Sequence, residues 1–518
     1  MAEKADYPER IERAPSASSS STLSVNSIQQ ANVDIEKASS HKQTAEVAEQ
    51  SIDPNIVDWD GADDPAKPIN WPASKKWINV MTVSGLTLLT PFGSTVFAPA
   101  VPQAMKEFGS SNVDLASLLV SIYVLGYAFG PLIIAPLSEL YGRLWVYHIN
   151  TFLFIVFNIG CALSNSLSAE LICRFLAGFA GVAPLTVGSG TIADLFRQEE
   201  RGKIMSLWTA PVLLGPSIGP LIGSYLGAAA GWRWNFWLLA IWAGVMMAAA
   251  LILQQETYAP TLLARKTAKL RKETGNMKLR SAMQSDKSPR DMFLLSIIRP
   301  TKMLCLSPII FGLSLYIAIC YGYLYLIFTS NSELFEKKYH MSSSSVGLTF
   351  LGIGVGQFAG LFAFSYVSDT MLKKKAAANG GEMKPEYRLG PLMWGGVLMP
   401  AGLFLYGWTA EYQVHWIVPI LGTVLVGAAM ILIFMPIGTY LVDAFTRYAA
   451  SAMAANTVLR SLGGALLPLA GGRMYHALGY GWGSSLLGFL ALAMLPVVWV
   501  FMRYGERIRT HPKFQLNL

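Results

Sequence analysis

Apolar residues in this chain gather into twelve blocks, each long enough to cross a lipid bilayer, which takes roughly 20 residues. They fall at 76–100, 113–136, 146–165, 169–192, 203–228, 233–253, 303–328, 343–368, 389–410, 413–440, 449–475 and 480–502. The pattern predicts an all-α membrane protein, because a segment in lipid must satisfy its own backbone polar groups and a helix does so. Residues 254–302 are the longest internal hydrophilic stretch, and they divide the chain into six-helix halves at 71–253 and 303–502. Residues 1–70 are polar, carry a serine run at Ser18 to Ser21 and lack the apolar core of a signal peptide. They are expected to form a disordered tail, and residues 503–518 are expected to be a C-terminal tail beyond the last block.

Lys and Arg orient the blocks. With the N-terminus in the cytoplasm, the inside loops hold Arg143, Arg197, Arg201, Lys203, the basic stretch from Arg265 to Lys302, Lys373, Lys374, Lys375, Lys384, Arg388 and Arg447. The outside loops hold only Lys106, Arg233, Lys337 and Lys338. The bias predicts that both termini and the central segment are cytoplasmic.

Composition agrees with membrane embedding. Of 518 residues 53% are hydrophobic and 14% charged, against about 25% charged in soluble domains. The net charge of +8 sits in the loops, so topology explains it and no nucleic-acid partner is expected. Cys161, Cys173, Cys305 and Cys320 all lie inside apolar blocks with no CxxC pair, which supports neither a disulfide framework nor a zinc site. His148, His340, His415 and His476 sit near block ends without i,i+4 pairing, so neither a metal nor another cofactor is expected.

The two sets of six resemble each other. Gly130 and Glu139 at the end of block two recur as Gly360 and Asp369 at the end of block eight. Ile192-Ala193-Asp194-Leu195-Phe196 recurs as Leu441-Val442-Asp443-Ala444-Phe445, and Pro220 and Gly223 recur as Pro468 and Gly471. Matches in the same order at similar offsets suggest a parallel repeat, with a substrate path between the halves near the bilayer midplane.

Three segments carry candidate chemistry. Gly130-Pro131-Leu132-Ile133-Ile134-Ala135-Pro136-Leu137-Ser138-Glu139-Leu140-Tyr141-Gly142-Arg143 sits where block two leaves the membrane. Glu139 and Arg143 are one turn apart if helix persists, and Gly142 permits a chain reversal. Block five holds Gly215-Pro216-Ser217-Ile218-Gly219-Pro220-Leu221-Ile222-Gly223-Ser224. Small residues at spacing four allow close helix approach, and the prolines bend the helix. Its Gly-x-Ser-x-Gly is not a nucleophile elbow, which needs a strand–turn–helix. Block four opens with Arg174-Phe175-Leu176-Ala177-Gly178 and closes with Asp194. A charge inside a span faces a cavity or a partner, or, for Arg174, snorkels to the near surface.

The first segment resembles the signature loop between the second and third helices of the major facilitator superfamily, with Glu139 where Asp is usual and Leu140 and Leu144 where basic residues are common. The block-five segment resembles that superfamily's antiporter signature. Further matches are Asn70-Trp71-Pro72, Pro99-Ala100-Val101-Pro102, Trp232-Arg233-Trp234-Asn235-Phe236-Trp237, Glu256-Thr257-Tyr258-Ala259-Pro260 leading to Leu270-Arg271-Lys272-Glu273-Thr274-Gly275-Asn276, and Ala450-Ser451-Ala452-Met453-Ala454-Ala455-Asn456 running on to Arg460. Together they resemble the fungal twelve-span drug:proton antiporter family over nearly everything from Asn70 to Lys513. The resemblance implies a monomeric, multi-pass exporter of drugs, toxins, polyamines or secondary metabolites, driven by protons, in the plasma or vacuolar membrane. It implies a cytoplasmic gate at Glu139, Gly142, Arg143, Asp194, Asp369 and Asp443, an antiporter helix marked by Gly215, Pro216, Gly219, Pro220 and Gly223, and proton coupling at Arg174.

An importer or facilitator on the same scaffold is the alternative, since a fold does not fix direction. An ATP-driven pump would need a P-loop, which the sequence lacks. A membrane metalloprotease would need HExxH, also absent. Acidic residues stand at block ends: Glu139, Asp194, Asp369 and Asp443 inside, Asp114 and Glu170 outside. A polycation needs anionic partners, so polyamines are disfavoured, and neutral amphipathic or weakly anionic substrates fit better. Arg460 is the deep charge, about twelve residues or roughly 18 Å into its helix. It is expected to face the cavity with Asn456 one turn away, the other reading being a structural Arg on free carbonyls.

Overall fold

The computed structural model describes residues 55–284, 288–380 and 383–511. Residues 1–54 and 512–518 of the predicted tails, and the side chains of Asp369, Lys203 and Arg447, lie outside the described residues. Eleven continuous helices among the described residues are long and apolar enough to cross a membrane. The last, Ala449–Thr510, is two spans, because Gly479 at φ 74° turns the chain back midway, a conformation open to glycine at little cost. The predicted twelve spans are therefore present.

In the first half they are Ala73–Thr95, Val113–Tyr141, Arg143–Ala162, Leu167–Gly181 continued by Ala183–Leu195, Gln198–Ala230 and Trp234–Leu253. In the second they are Pro308–Lys337, Leu351–Ala378, Gly390–Glu411, Ile417–Ala444 and the two parts of Ala449–Thr510. They are spans one to twelve below. Short polar side chains start several: Asn112 Oδ1 accepts the Asp114 N–H at 2.9 Å ahead of span two, and Ser307 Oγ accepts the Ile310 N–H ahead of span seven.

The halves repeat in their contacts as well as their sequence. A Cβ on Gly178 in span four would collide with the Tyr123 carbonyl of span two, and a Cβ on Gly427 in span ten with the Ile353 carbonyl of span eight. Gly223 in span five meets the Val96 carbonyl, and Gly471 in span eleven meets the Leu326 side chain of span seven. Each second-half pair sits within one residue of the offsets that relate Asp194 to Asp443 and Glu139 to Asp369. Small residues are used because helices in lipid associate through close packing rather than through exclusion of water.

Two sequence expectations need correction. Residues 55–70 are not a disordered tail. Ile56–Val57 forms a two-stranded parallel sheet with Arg280–Ser281, and Pro68–Asn70 is a turn of 3-10 helix. The Asp64 carboxylate accepts the N–H groups of Asp60 and Ala66 at 2.9 and 2.8 Å, and these bonds hold its pKa below the usual carboxylate range. Lys266 Nζ reaches Asp60 at 2.6 Å and the Asp58 carbonyl at 2.9 Å. The composition of this segment provides no core, and its partners come from the central segment. That segment is itself mostly helical, at Ala259–Thr274 and Pro289–Leu306, and runs past residue 302 into span seven.

Candidate functional site

On the face that carries the central segment, Gly142 ends span two at φ 94° and Arg143 begins span three. The break removes the one-turn relation between Glu139 and Arg143. Glu139 is exposed, and no ion pair joins it to Arg143 among the described residues. Arg143 turns instead toward span four: its Nε lies 3.3 Å from Asp194 Oδ2, and Nη1 donates to Ser138 Oγ at 2.6 Å. Its guanidinium stands 4.5 Å from the Tyr258 ring centroid, and burial raises the pKa of that phenol.

Sequence reasoning did not place Glu256 in this cluster. Glu256 is buried, and its Oε1 accepts the backbone N–H of Arg143 at 2.9 Å and of Tyr258 at 3.0 Å. Its Oε2 accepts the Leu144 N–H at 3.3 Å. The carboxylate thus caps the N-terminus of span three, where orphan donors and the helix dipole favour an anion. A Cβ on residue 142 would collide with this carboxylate, so Gly142 is required by close approach as well as by its φ.

The second half repeats the arrangement. Arg388, just before span nine, meets Asp443 at the end of span ten with Nε and Oδ2 3.0 Å apart. Glu506, in the last turns of span twelve, meets Lys384 at 2.7 Å. Glu256, Arg388, Lys384 and Glu506 are the residues that the sequence reading left out of the site. The internal repeat carries the signal for the last, since Glu506 stands to Glu256 at nearly the offset of Asp443 to Asp194.

Span five joins three elements. Gly215 abuts Pro91 and Phe92, Gly219 abuts Thr95, and Gly223 abuts Val96, so these glycines seat the helix on span one. Its other side faces the second half: Gly354 packs on Ser217, Gly347 on the Pro220 carbonyl, and Ser224 Oγ donates to the Ser344 carbonyl at 3.1 Å. Pro211, Pro216 and Pro220 lie inside this helix and each removes a backbone donor. On the same side of the protein, away from the central segment, Arg473 of span eleven pairs with Asp114 of span two. Tyr325 OH of span seven donates to Ser94 Oγ of span one at 2.9 Å.

Arg174 neither snorkels nor opens onto a cavity. It is 1% exposed. Nε donates to the Leu119 carbonyl at 2.8 Å and Nη1 to the Gly93 carbonyl at 3.5 Å, and the rings of Phe97, Tyr123 and Phe236 surround the guanidinium at 5.1 to 5.6 Å. It ties span four to spans one, two and six. One turn earlier Glu170 is buried too, and its Oε2 accepts from Ser164 Oγ at 2.7 Å.

Arg460 is in a different setting. It is 8% exposed, with its guanidinium 5.0 Å from the Tyr321 ring centroid and 4.9 Å from that of Phe434. Its Nε has no hydrogen-bond partner, nor has Oδ1 of Asn456. One turn further on, Gly464 packs against Tyr321 and, across the boundary between the halves, against Val124.

Comparison with known proteins agrees with this architecture. The Major Facilitator Superfamily model matches residues 83–468. The chain is 54% identical to the MFS-type transporter penM of Penicillium rubens over 90% of its own length and 92% of that protein's. It is 49% identical to the efflux pump radE of Floropilus chiversii, over 91% of this chain and 88% of the other. Among solved structures, the partially occluded inward open xylose transporter XylE from E. coli superposes with a TM-score of 0.62 at 17% identity, covering 83% of this chain and 98% of that one, a likeness of fold alone. The chain belongs to the Major Facilitator Superfamily, and is a multi-pass membrane transporter of small molecules rather than an enzyme.

Proposed function

We propose that this protein exports small amphipathic organic compounds in exchange for protons, by alternating access of one central site, as a monomer in the plasma membrane. The observation that carries the reading is the 49% identity, over nearly the whole chain, to a relative named as an efflux pump. The sequence has no P-loop, which favours an ion gradient over ATP as the energy source. The asymmetry of Lys and Arg favours a cytoplasmic location for the central segment. In that orientation the pairs Arg473–Asp114 and Ser224–Ser344 tie the two halves together on the outer side. The ion-paired ends of spans four and ten, at Asp194 and Asp443, serve as the cytoplasmic gate, with Glu256 and Glu506 supporting them.

Proteoliposomes test the reading. An imposed proton gradient should drive accumulation of a fluorescent amphipathic substrate, and a protonophore should abolish it. Accumulation that ignores the protonophore would remove proton coupling. Uptake in the direction of the proton flow would favour an importer.

A further inference from the structure

We propose that Arg460 is the anion-binding group of the substrate site, and that the site prefers aromatic compounds carrying a delocalised negative charge, such as aromatic carboxylates. The proposal rests on the exporter reading for the role of the site and deepens it by naming the substrate class.

Arg460 is incompletely solvated. The buried arginine of the first half, Arg174, has two backbone carbonyls as acceptors and leaves only Nη2 without one. Arg143, at the membrane edge, has Asp194 and Ser138. Arg460 is more than nine-tenths buried and has rings beside it but no acceptor at Nε. Aromatic faces stabilise a cation through their quadrupole, but they do not accept the in-plane N–H groups of a guanidinium as a carboxylate does. An arginine held in a membrane interior without an anion is costly and marks a ligand path. Among the described residues no carboxylate lies within ion-pair distance of it.

The surroundings of Arg460 are aromatic. Tyr321 and Phe434 are only half-buried, and Tyr321 leads to Tyr325 at 5.1 Å between ring centroids. Tyr325 in turn donates to Ser94 of the other half, so the aromatic wall reaches the boundary between the halves. Such a wall takes a π-system in offset or edge contact. Asn456, one turn from Arg460 on the same helix, leaves Oδ1 open to accept from a substrate hydroxyl. A cationic substrate would meet the charge of Arg460 with no carboxylate at ion-pair distance, among the described residues, to offset the repulsion.

The test uses the full-length protein in lipid nanodiscs and two probes of nearly equal shape, 2-naphthoate and its methyl ester, measured by equilibrium dialysis. The wild type should bind the acid roughly tenfold or more tightly than the ester, as expected when a charged hydrogen bond is present in one complex only. Arg460→Gln should erase the difference, and Arg460→Lys should keep part of it. Equal binding of the two probes by the wild type, or no binding of either, overturns the proposal whether or not the variants fold. So does a preference for the acid that survives in Arg460→Gln. Proton-driven export of the ester without preference for the acid would overturn this proposal and leave the exporter reading standing. Preference for the acid without proton-driven flux would do the reverse.

Discussion

Glu256 and Arg143 are joined through the backbone and not through their charges. The Glu256 carboxylate accepts the Arg143 N–H at 2.9 Å, leaving the Arg143 guanidinium to reach Asp194. The central segment thereby fixes the start of span three, and with it the direction in which Arg143 points. Glu256→Ala should therefore weaken the gate without touching either partner of the ion pair. A lost helix cap costs about 1 kcal/mol, so the protein should still fold, and the initial transport rate at matched surface abundance should fall severalfold. A normal rate in Glu256→Ala would mean that the cap plays no part in the cycle.

Arg143 and Asp194 should behave as one unit. Arg143→Ala and Asp194→Asn should each lower transport at near wild-type abundance, and the double variant should be little worse than either. Arg388→Ala and Asp443→Asn should form a second, separate cycle. Rates that simply multiply within each pair would show that the contacts at 3.3 and 3.0 Å carry no coupling.

Arg174 and Arg460 should differ in phenotype. Arg174→Ala removes a fully buried side chain that links span four to spans one, two and six and leaves a cavity in its place, and should reduce the amount of folded protein. Arg460→Lys should leave abundance near wild type and change apparent affinity. Surface quantification beside a dose–response curve separates the two, and normal abundance of Arg174→Ala would remove its structural role.

Gly178 and Gly427 set how closely spans two and four, and eight and ten, approach. Gly178→Val should fail to accumulate, because the obstacle is the Tyr123 carbonyl and backbone cannot move aside as a side chain can. Gly244→Ala, where an added Cβ meets nothing within 4 Å, is the control and should accumulate normally. Equal abundance of the two would contradict the close approach.

Topology is open to a direct check. Met277, 79% exposed in the central segment, is replaced by Cys after Cys161, Cys173, Cys305 and Cys320 are removed. An impermeant maleimide should label Met277→Cys only after the cells are permeabilised. Labelling of intact cells would reverse the assigned orientation.

Much of the fold was legible along the chain because membrane helices announce themselves locally. The length of an apolar block is set by bilayer thickness, and the chain has nowhere else to satisfy its backbone. The repeat was legible for a related reason: Gly178 and Gly427, or Asp194 and Asp443, occupy equivalent places, so each residue type recurs with its environment. The disorder expected for residues 55–70 failed because composition reports only whether a segment can fold on itself. Here Asp60 and Asp64 fold against Lys266, some two hundred positions further on.

The site divides in the same way. The sequence by itself determined that Arg460 lies well inside an apolar helix and that Asp194 and Asp443 stand at helix ends. It could not determine which charges meet. Glu139 is four positions from Arg143 and does not pair with it, because a single left-handed glycine at 142 redirects the chain. Glu256 is 113 positions away and caps its helix. Nor could the sequence tell Arg174 from Arg460. Both are arginines in apolar helices, and only the packing of neighbouring spans gives one of them backbone carbonyls and leaves the other's Nε without an acceptor. Hydrogen bonds act over about 3 Å, so which groups are satisfied is settled by how helices approach one another in space, a property no single helix contains.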